Sequence, residues 1–422
     1  MRSTPICRPP LRVPRGIFFA TLIGSLLSDP SNAPAAQQTA TWAGGTATWV
    51  TPSKWLGSGV PNNGTPEGCT YSVIIPDSSS LPSVVKLTGP KNIDELTIGT
   101  GSMLDVTSGG TLTFAPEQVV LTNRGTLSLG STTLSSRLHF MGNRATLVGG
   151  GTVLLGTSQL KPGSFPFTLV NEDNSIQGSG SLSDMDIINR GTIHANRQDR
   201  LSLYAAYPTA TSPRYTFVNN GTLRAGPGST LTLNKATYNN FEGSQSGRII
   251  ADGGTVEVQD VTLNGGELTV LGGGNMFLRG HINTRLTNSP TGTILVTNQL
   301  GGTLVNPAGG LVALAGKFTL TLDSKSTYNN AGTFISATLL TGGPLYGGTI
   351  RLTGGPVAFR GGGLLTLASD RSRIESDPAS PSSLLLIDQT LNGYGQVTAP
   401  IVNCDTIQAD SPSGSLQCNI IA

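Results

Sequence analysis

Three places along this 422-residue chain carry side chains that could do acid–base chemistry. Glu172 with Asp173, Asp184 with Asp186, and the stretch Asp370, Arg371, Arg373, Glu375, Asp377 each bring carboxylates together, the last with guanidinium groups between them. Polysaccharide cleavage needs two acids, or acids beside Arg or Lys, projecting from one face. Each stretch interrupts a rhythm of alternating residues, so each is expected in a loop, where function is commonly grafted onto a scaffold. A solvated, solubilising loop accounts for the same residues more simply, and no catalytic residue is assigned.

Other chemistry is thinner. His139, His194 and His281 are far apart and fit no metal-ligand spacing, so each reads as a surface histidine and no metal or cofactor site is assigned. In Gly243-Ser244-Gln245-Ser246-Gly247 a Gln stands where a nucleophile elbow needs Ser. No phosphate-binding loop precedes a helix pattern. Trp42, Trp49 and Trp55 lie within 14 residues of one another. They read as a cap covering the open end of a repetitive core, the competing reading being a platform for stacking on glycans. Cys404 and Cys418 are close enough to bridge, closing a loop of about 15 residues worth roughly 3 kcal/mol. Sequence leaves that connectivity open, with Cys69 as a free thiol.

The elements that must hold these residues are announced by composition. Gly 56, charged residues at 12% and aromatics at 5% are far from an ordinary helical enzyme. A hydrophobic fraction of 37% with a formal charge of only +2 excludes disorder. Arg2, Arg8, Arg12 and Arg15 precede an apolar run from Gly16 to Leu27 and an Ala-rich end, which predicts a secretory signal peptide over residues 1–36. Its removal takes Lys+Arg from 26 to 22 and Asp+Glu from 24 to 23, near net −1. The basic balance therefore belongs to the leader, and a nucleic-acid partner is not expected. No second run is long enough to span a bilayer.

Beyond Val73 the chain reads as strands of three to five alternating residues: Glu95 to Ile98, Thr111 to Phe114, Thr230 to Leu233, Thr349 to Leu352. Strands this short must pair with neighbours to persist. Three of them make a coil of roughly 20–25 residues, the period range of a solenoid. One turn pattern, Asn-x-Gly-Thr, recurs at Asn123, Asn189 and Asn219, with Asn329 to Phe334 as a one-residue-longer relative. Gly-Gly-Thr recurs from Gly109, Gly150, Gly253, Gly301 and Gly347. Both are expected to use Gly or Asn at positive φ. A long degenerate repeat aligns residues 149–203 with 361–418, matching Ile176-Gln177-Gly178-Ser179-Gly180 to Leu391-Asn392-Gly393-Tyr394-Gly395. The outward Thr pairs Thr111/Thr113, Thr230/Thr232 and Thr319/Thr321 raise a flat-faced surface binder as a further reading.

The tryptophan block, with Gly59-Val60-Pro61-Asn62 and the strand Tyr71 to Ile75, and the long repeat together resemble the large secreted β-solenoid proteins of bacteria. These are the autotransporter-passenger-like and sorting-signal-bearing repeat proteins, and the likeness covers roughly residues 40–410. It implies an all-β fold: a right-handed parallel β-helix with three short strands per coil over 76–422, behind a cap at 37–75. It also implies a secreted or cell-surface structural protein, a rigid stalk of adhesin or passenger type, meeting extracellular glycans or proteins. The alternative is a carbohydrate-active β-helix enzyme, a polysaccharide lyase or hydrolase. The chain reaches Ala422 with no translocator barrel, dockerin or sorting tail. Either a truncated relative or an end capped by a Cys404–Cys418 bridge is expected.

Overall fold

The computed structural model describes residues 36–420 apart from positions 58, 79–81, 108, 131–136, 161, 164–165, 205–214, 315–317, 337–346, 404 and 410–415. The signal-peptide expectation, apart from Ala36, and Cys404 lie outside these residues. So does the side chain of Cys418, whose backbone belongs to the strand Leu416–Ile420. The unit Ala36–Ala422 is all-β, and among the described residues it has one short 3-10 turn, at Pro52–Lys54. Among the described residues no helix is long and apolar enough to cross a membrane.

Alternation with period two gives each strand one apolar edge, and a three- or four-residue strand can bury that edge only against other strands. The pairing pattern is regular. Glu95–Ile98 pairs in parallel with Gln118–Asn123, which pairs with Arg144–Val148, then Thr168–Asn171, Asp186–Asn189 and Thr216–Asn219. A second ladder runs through Met103–Val106, Thr126–Ser128, Thr152–Leu154, Ser175–Gly178, Thr192–Ala195 and Thr222–Ala225. A third runs through Gln159–Leu160, Gly180–Ser183, Arg200–Tyr204 and Thr230–Asn234. In these ladders each strand pairs with the strands about three elements before and after it, not with its sequence neighbour.

Further along, strands run on through the corners, where Asp260, Gly280 and Asn298 keep a positive φ. Thr255–Leu271 is one strand of 17 residues that pairs with Thr230–Asn234, Thr237–Asn239 and Arg248–Asp252 along successive thirds. Among the described residues it thereby joins the ladders into a 37-stranded sheet that closes on itself around the core. Asn275–Thr287, Thr293–Asn306, Leu364–Ser376 and Thr390–Asn403 are similarly long. The reading of short strands throughout is thus corrected. The pairing continues around each bend, with register shifts at Gln259/Val261 and Asn264/Glu267 marking the corners.

The interior is built of like on like. Val73, Leu96, Leu121 and Leu147 occupy one register column and are all at most 1% exposed. Phe114, Phe140 and Phe167 stack at 5.2 and 5.3 Å between ring centroids. Each such buried side chain contributes about 1.5–3 kcal/mol by leaving water, and each ring pair about 0.5–1.5 kcal/mol more.

The Asn-x-Gly-Thr corners work differently from expectation. Asn123, Asn189 and Asn219 are not at positive φ; they are buried. The amide Nδ2 of Asn171 donates to Asn189 Oδ1 at 2.8 Å, Asn189 to Asn219 at 2.8 Å, and Asn219 to Asn240 at 2.6 Å. A second amide ladder links Asn288, Asn306, Asn330 and Gln389 at 2.9, 2.7 and 3.0 Å. Here Asn330, not Asn329, takes the ladder position, so no residue is inserted in that corner. The following Gly is required by close approach: a Cβ on Gly221 would fall 2.0 Å from the carbonyl oxygen of Gly191. In Gly-Gly-Thr it is the first glycine, as at Gly150 (φ +72°), that takes the left-handed conformation. This holds at Gly109, Gly150 and Gly253, whereas the Gly301 turn places it on Gly302, and neither Gly347 nor Gly348 adopts it.

Candidate functional site

The tryptophans have no face to offer a sugar. Trp42, Trp49 and Trp55 are 1%, 0% and 5% exposed, and the Trp55 ring centroid lies 4.9 Å from that of Trp42 and 5.0 Å from that of Trp49. Their indole N–H groups donate to the carbonyls of Gly45, Pro61 and Trp49 at 3.1, 3.0 and 2.6 Å. Trp42 and Trp55 are also register partners in the antiparallel pairing that begins the fold. Cys69 is a free, half-buried thiol that accepts from Gln38 Nε2 at 3.0 Å.

The acidic stretches are mostly structural. Asp184 is 4% exposed at φ 61°, a corner residue between two strands, and Asp186 begins the strand Asp186–Asn189 and accepts from the Thr216 amide at 2.8 Å. Glu172 and Glu242 flank Arg190 at 2.6 and 2.7 Å. Hydrogen bonding from that guanidinium holds the Glu242 carboxyl below its ordinary range, and the two acids raise Arg190 in return. Asp370, Arg371, Arg373 and Glu375 do not form a loop: they lie in the strand Leu364–Ser376. Asp370 is exposed, Glu375 is paired with Arg351 at 2.6 Å, and Asp377 accepts from the Ala379 amide at 3.0 Å. The Thr pairs do not form ranks: Thr113 is flanked by Asn92 and His139, and Thr232 by Ser202 and Glu257.

His194 is pushed down, chiefly by burial and then by the Arg224 charge. Among the described residues no group of three or more His, Cys, Asp or Glu could hold a metal ion.

What register does assemble is a polar face. The inward column Tyr238, Leu263, Ile282, Leu300, Leu322, Leu352 is buried to 2% exposure or less. Because side chains alternate, the residues on either side of each point outward. On one side these are Thr237, Thr262, His281, Gln299, Thr321 and Arg351, in ladder order, with Glu375 next. On the other side Asn239, Asn264, Asn283 and Gly301 follow one another. Asp323 comes next, one residue past the Leu300 and Leu322 pair, followed by Thr353. Thr353 Oγ1 donates to Asp377 Oδ2 at 3.4 Å.

Gly301 leaves a gap in this second column, and the gap is an open cleft of about 300 Å³. A Cβ on Gly301 would lie 3.3 Å from Asp323 Oδ2, 3.5 Å from Asn283 Oδ1 and 3.5 Å from Ser326 Oγ, so three oxygens converge on its floor. Asp323 is fixed by the Ser326 hydroxyl at 2.6 Å and the Lys325 amide at 3.0 Å. His281 Nδ1 and Gln299 Oε1 are hydrogen-bonded at 2.8 Å along the rim. Phe241 is 41% exposed, with its ring against Gly265, the residue after Asn264, where a Cβ would fall 2.6 Å from the ring. The arrangement can donate and accept several hydrogen bonds at once.

Spacing in the sequence marks His281 only as a surface residue and does not single out Asn264, Asn283, Gln299 or Asp323. Nothing short of strand register could have collected them, since they are spread over some 60 positions. Comparison with family models, curated proteins and solved structures found no match to this chain.

Proposed function

We propose that the chain is a secreted or cell-surface structural and interaction protein, a right-handed parallel β-solenoid that carries a ligand-contact face on a stiff scaffold. The observation that carries this is the pairing of each strand with those about three elements before and after it. In an up-and-down barrel, sequence neighbours pair; in a winding coil of three strands, a strand meets its counterpart one coil away. Right-handed winding follows from the general preference of parallel crossovers. The buried tryptophans then act as the cap of the first coil, and the amide ladders as its internal braces.

The same framework disfavours a polysaccharide-cleaving enzyme. Two of the carboxylates it would use are engaged, Glu375 by Arg351 and Glu172 by Arg190. The proposed residence outside the cell rests on the basic-apolar leader at residues 1–36.

About sixteen ladder steps of about 4.8 Å give a rod roughly 75 Å long. Small-angle scattering of the purified chain should give a skewed pair-distance distribution with a maximum dimension near 80 Å. A symmetric distribution ending near 55 Å, that of a globule whose radius of gyration is about 21 Å, would contradict it.

A further inference from the structure

We propose that the cleft at Gly301 and the two outward columns running through it bind a neutral, β-linked oligosaccharide laid along the ladder direction. This deepens the interaction-protein reading and rests on it.

The chemistry of the lining selects the ligand class. Asn264, Asn283 and Gln299 each present both a donor and an acceptor, and Asp323 presents a carboxylate already oriented by Ser326 and Lys325. Sugar hydroxyls are likewise donors and acceptors at once, so they can be satisfied by such a set at every position. A polyanion finds little here. Arg351 is paired with Glu375, and among the residues lining the cleft Lys325 stands two residues from the carboxylate of Asp323. A strand-adding peptide needs free backbone N–H and C=O groups, whereas these strands are hydrogen-bonded to neighbours on both sides and offer side chains alone.

Geometry selects the shape. The columns from Asn239 to Asp377 span six ladder steps, roughly 29 Å at about 4.8 Å each. One step is close to the length of one β-linked pyranose in an extended chain, so successive sugars meet successive rungs in similar surroundings. The missing side chain at Gly301 lets one ring sink to the three converging oxygens. Phe241, exposed against Gly265, the residue after Asn264, supplies an aromatic face at the edge of the same track. The glycan-stacking role considered for the buried tryptophans is thereby moved to a ring that solvent can reach.

The test is calorimetric titration of the purified chain with cellohexaose and mannohexaose, with maltohexaose, polygalacturonate and a cationic peptide as comparators. At least one β-linked neutral hexasaccharide should bind. Asp323→Asn should weaken it about tenfold or more, the usual scale for a lost charge-assisted hydrogen bond. Gly301→Val should abolish binding by filling the cleft. Thr192→Val, on another ladder, should leave affinity unchanged, and melting curves should show all three variants folded. If Gly301→Val fails to fold, Asp323→Asn and Asn283→Ala decide the matter alone. Three results would overturn the proposal: no binding of either β-linked hexasaccharide at millimolar concentration, tighter binding of polygalacturonate or peptide, or binding indifferent to the cleft variants. An elongated scattering profile alongside any of these would leave the scaffold standing and remove only the ligand.

Discussion

Asn219 shows how much one side chain can carry in a repetitive fold. It is 3% exposed, receives a hydrogen bond from Asn189 and donates to Asn240, so it ties three successive rungs. Asn219→Ala leaves a buried amide donor on one side and a buried acceptor on the other. A cost of about 2–4 kcal/mol is expected, measured as a lowered urea midpoint at unchanged slope. A loss below about 0.5 kcal/mol would mean that water reaches the corner and the ladder is not a brace. The Asn-x-Gly-Thr motif was legible in sequence, and its role was not. Asn and Gly both suggest positive φ, and only stacking reveals that the amide is buried and that the Gly221 hydrogen faces a carbonyl of the previous rung.

At the scale of elements, alternation located most strands, because a period of two needs only local information. It failed where elements are joined or separated by long-range contacts. Asp370 to Glu375 looked like a loop because charges broke the pattern, yet every second residue there, Ser372 and Ile374, is still buried within one strand. One corner of each aligned stretch has the same backbone: Gly149 and Gly150 have φ +112° and +72°, and Gly361 and Gly362 have +110° and +76°. Between elements, the Arg190 clamp joins the end of Thr168–Asn171 to the hairpin of Phe241–Glu242 and Gln245–Ser246. The folded Glu242 carboxyl lies below its unfolded value of 4.5, so its contribution is present above that pH and is lost as pH falls through the depressed value. Thermal melts between pH 2 and 6 should show wild type losing more stability than Glu242→Gln across that acid window. Equal slopes would mean the clamp is too solvent-screened to matter.

For the whole molecule, the all-β class followed from glycine, the shortage of charge and strand periodicity. The polar face did not, because its members come from rungs 18 to 30 residues apart and only register lines them up. The central claim is that the closed sheet is a winding coil whose rungs advance along one axis. The second ladder offers an outward column in which Thr126, Thr152, Ser175, Thr192, Thr222 and Arg248 are successive, continuing through Glu267 and Arg285 to Thr303. Nitroxide labels on Thr126 paired with Arg248 or Thr303, with Cys7, Cys69, Cys404 and Cys418 changed to Ser, report this spacing by double electron–electron resonance. Five and eight steps of about 4.8 Å place the labels roughly 24 and 38 Å apart, a linear increase. A second distance equal to or shorter than the first would mean that the rungs return around a ring, and the solenoid would be wrong.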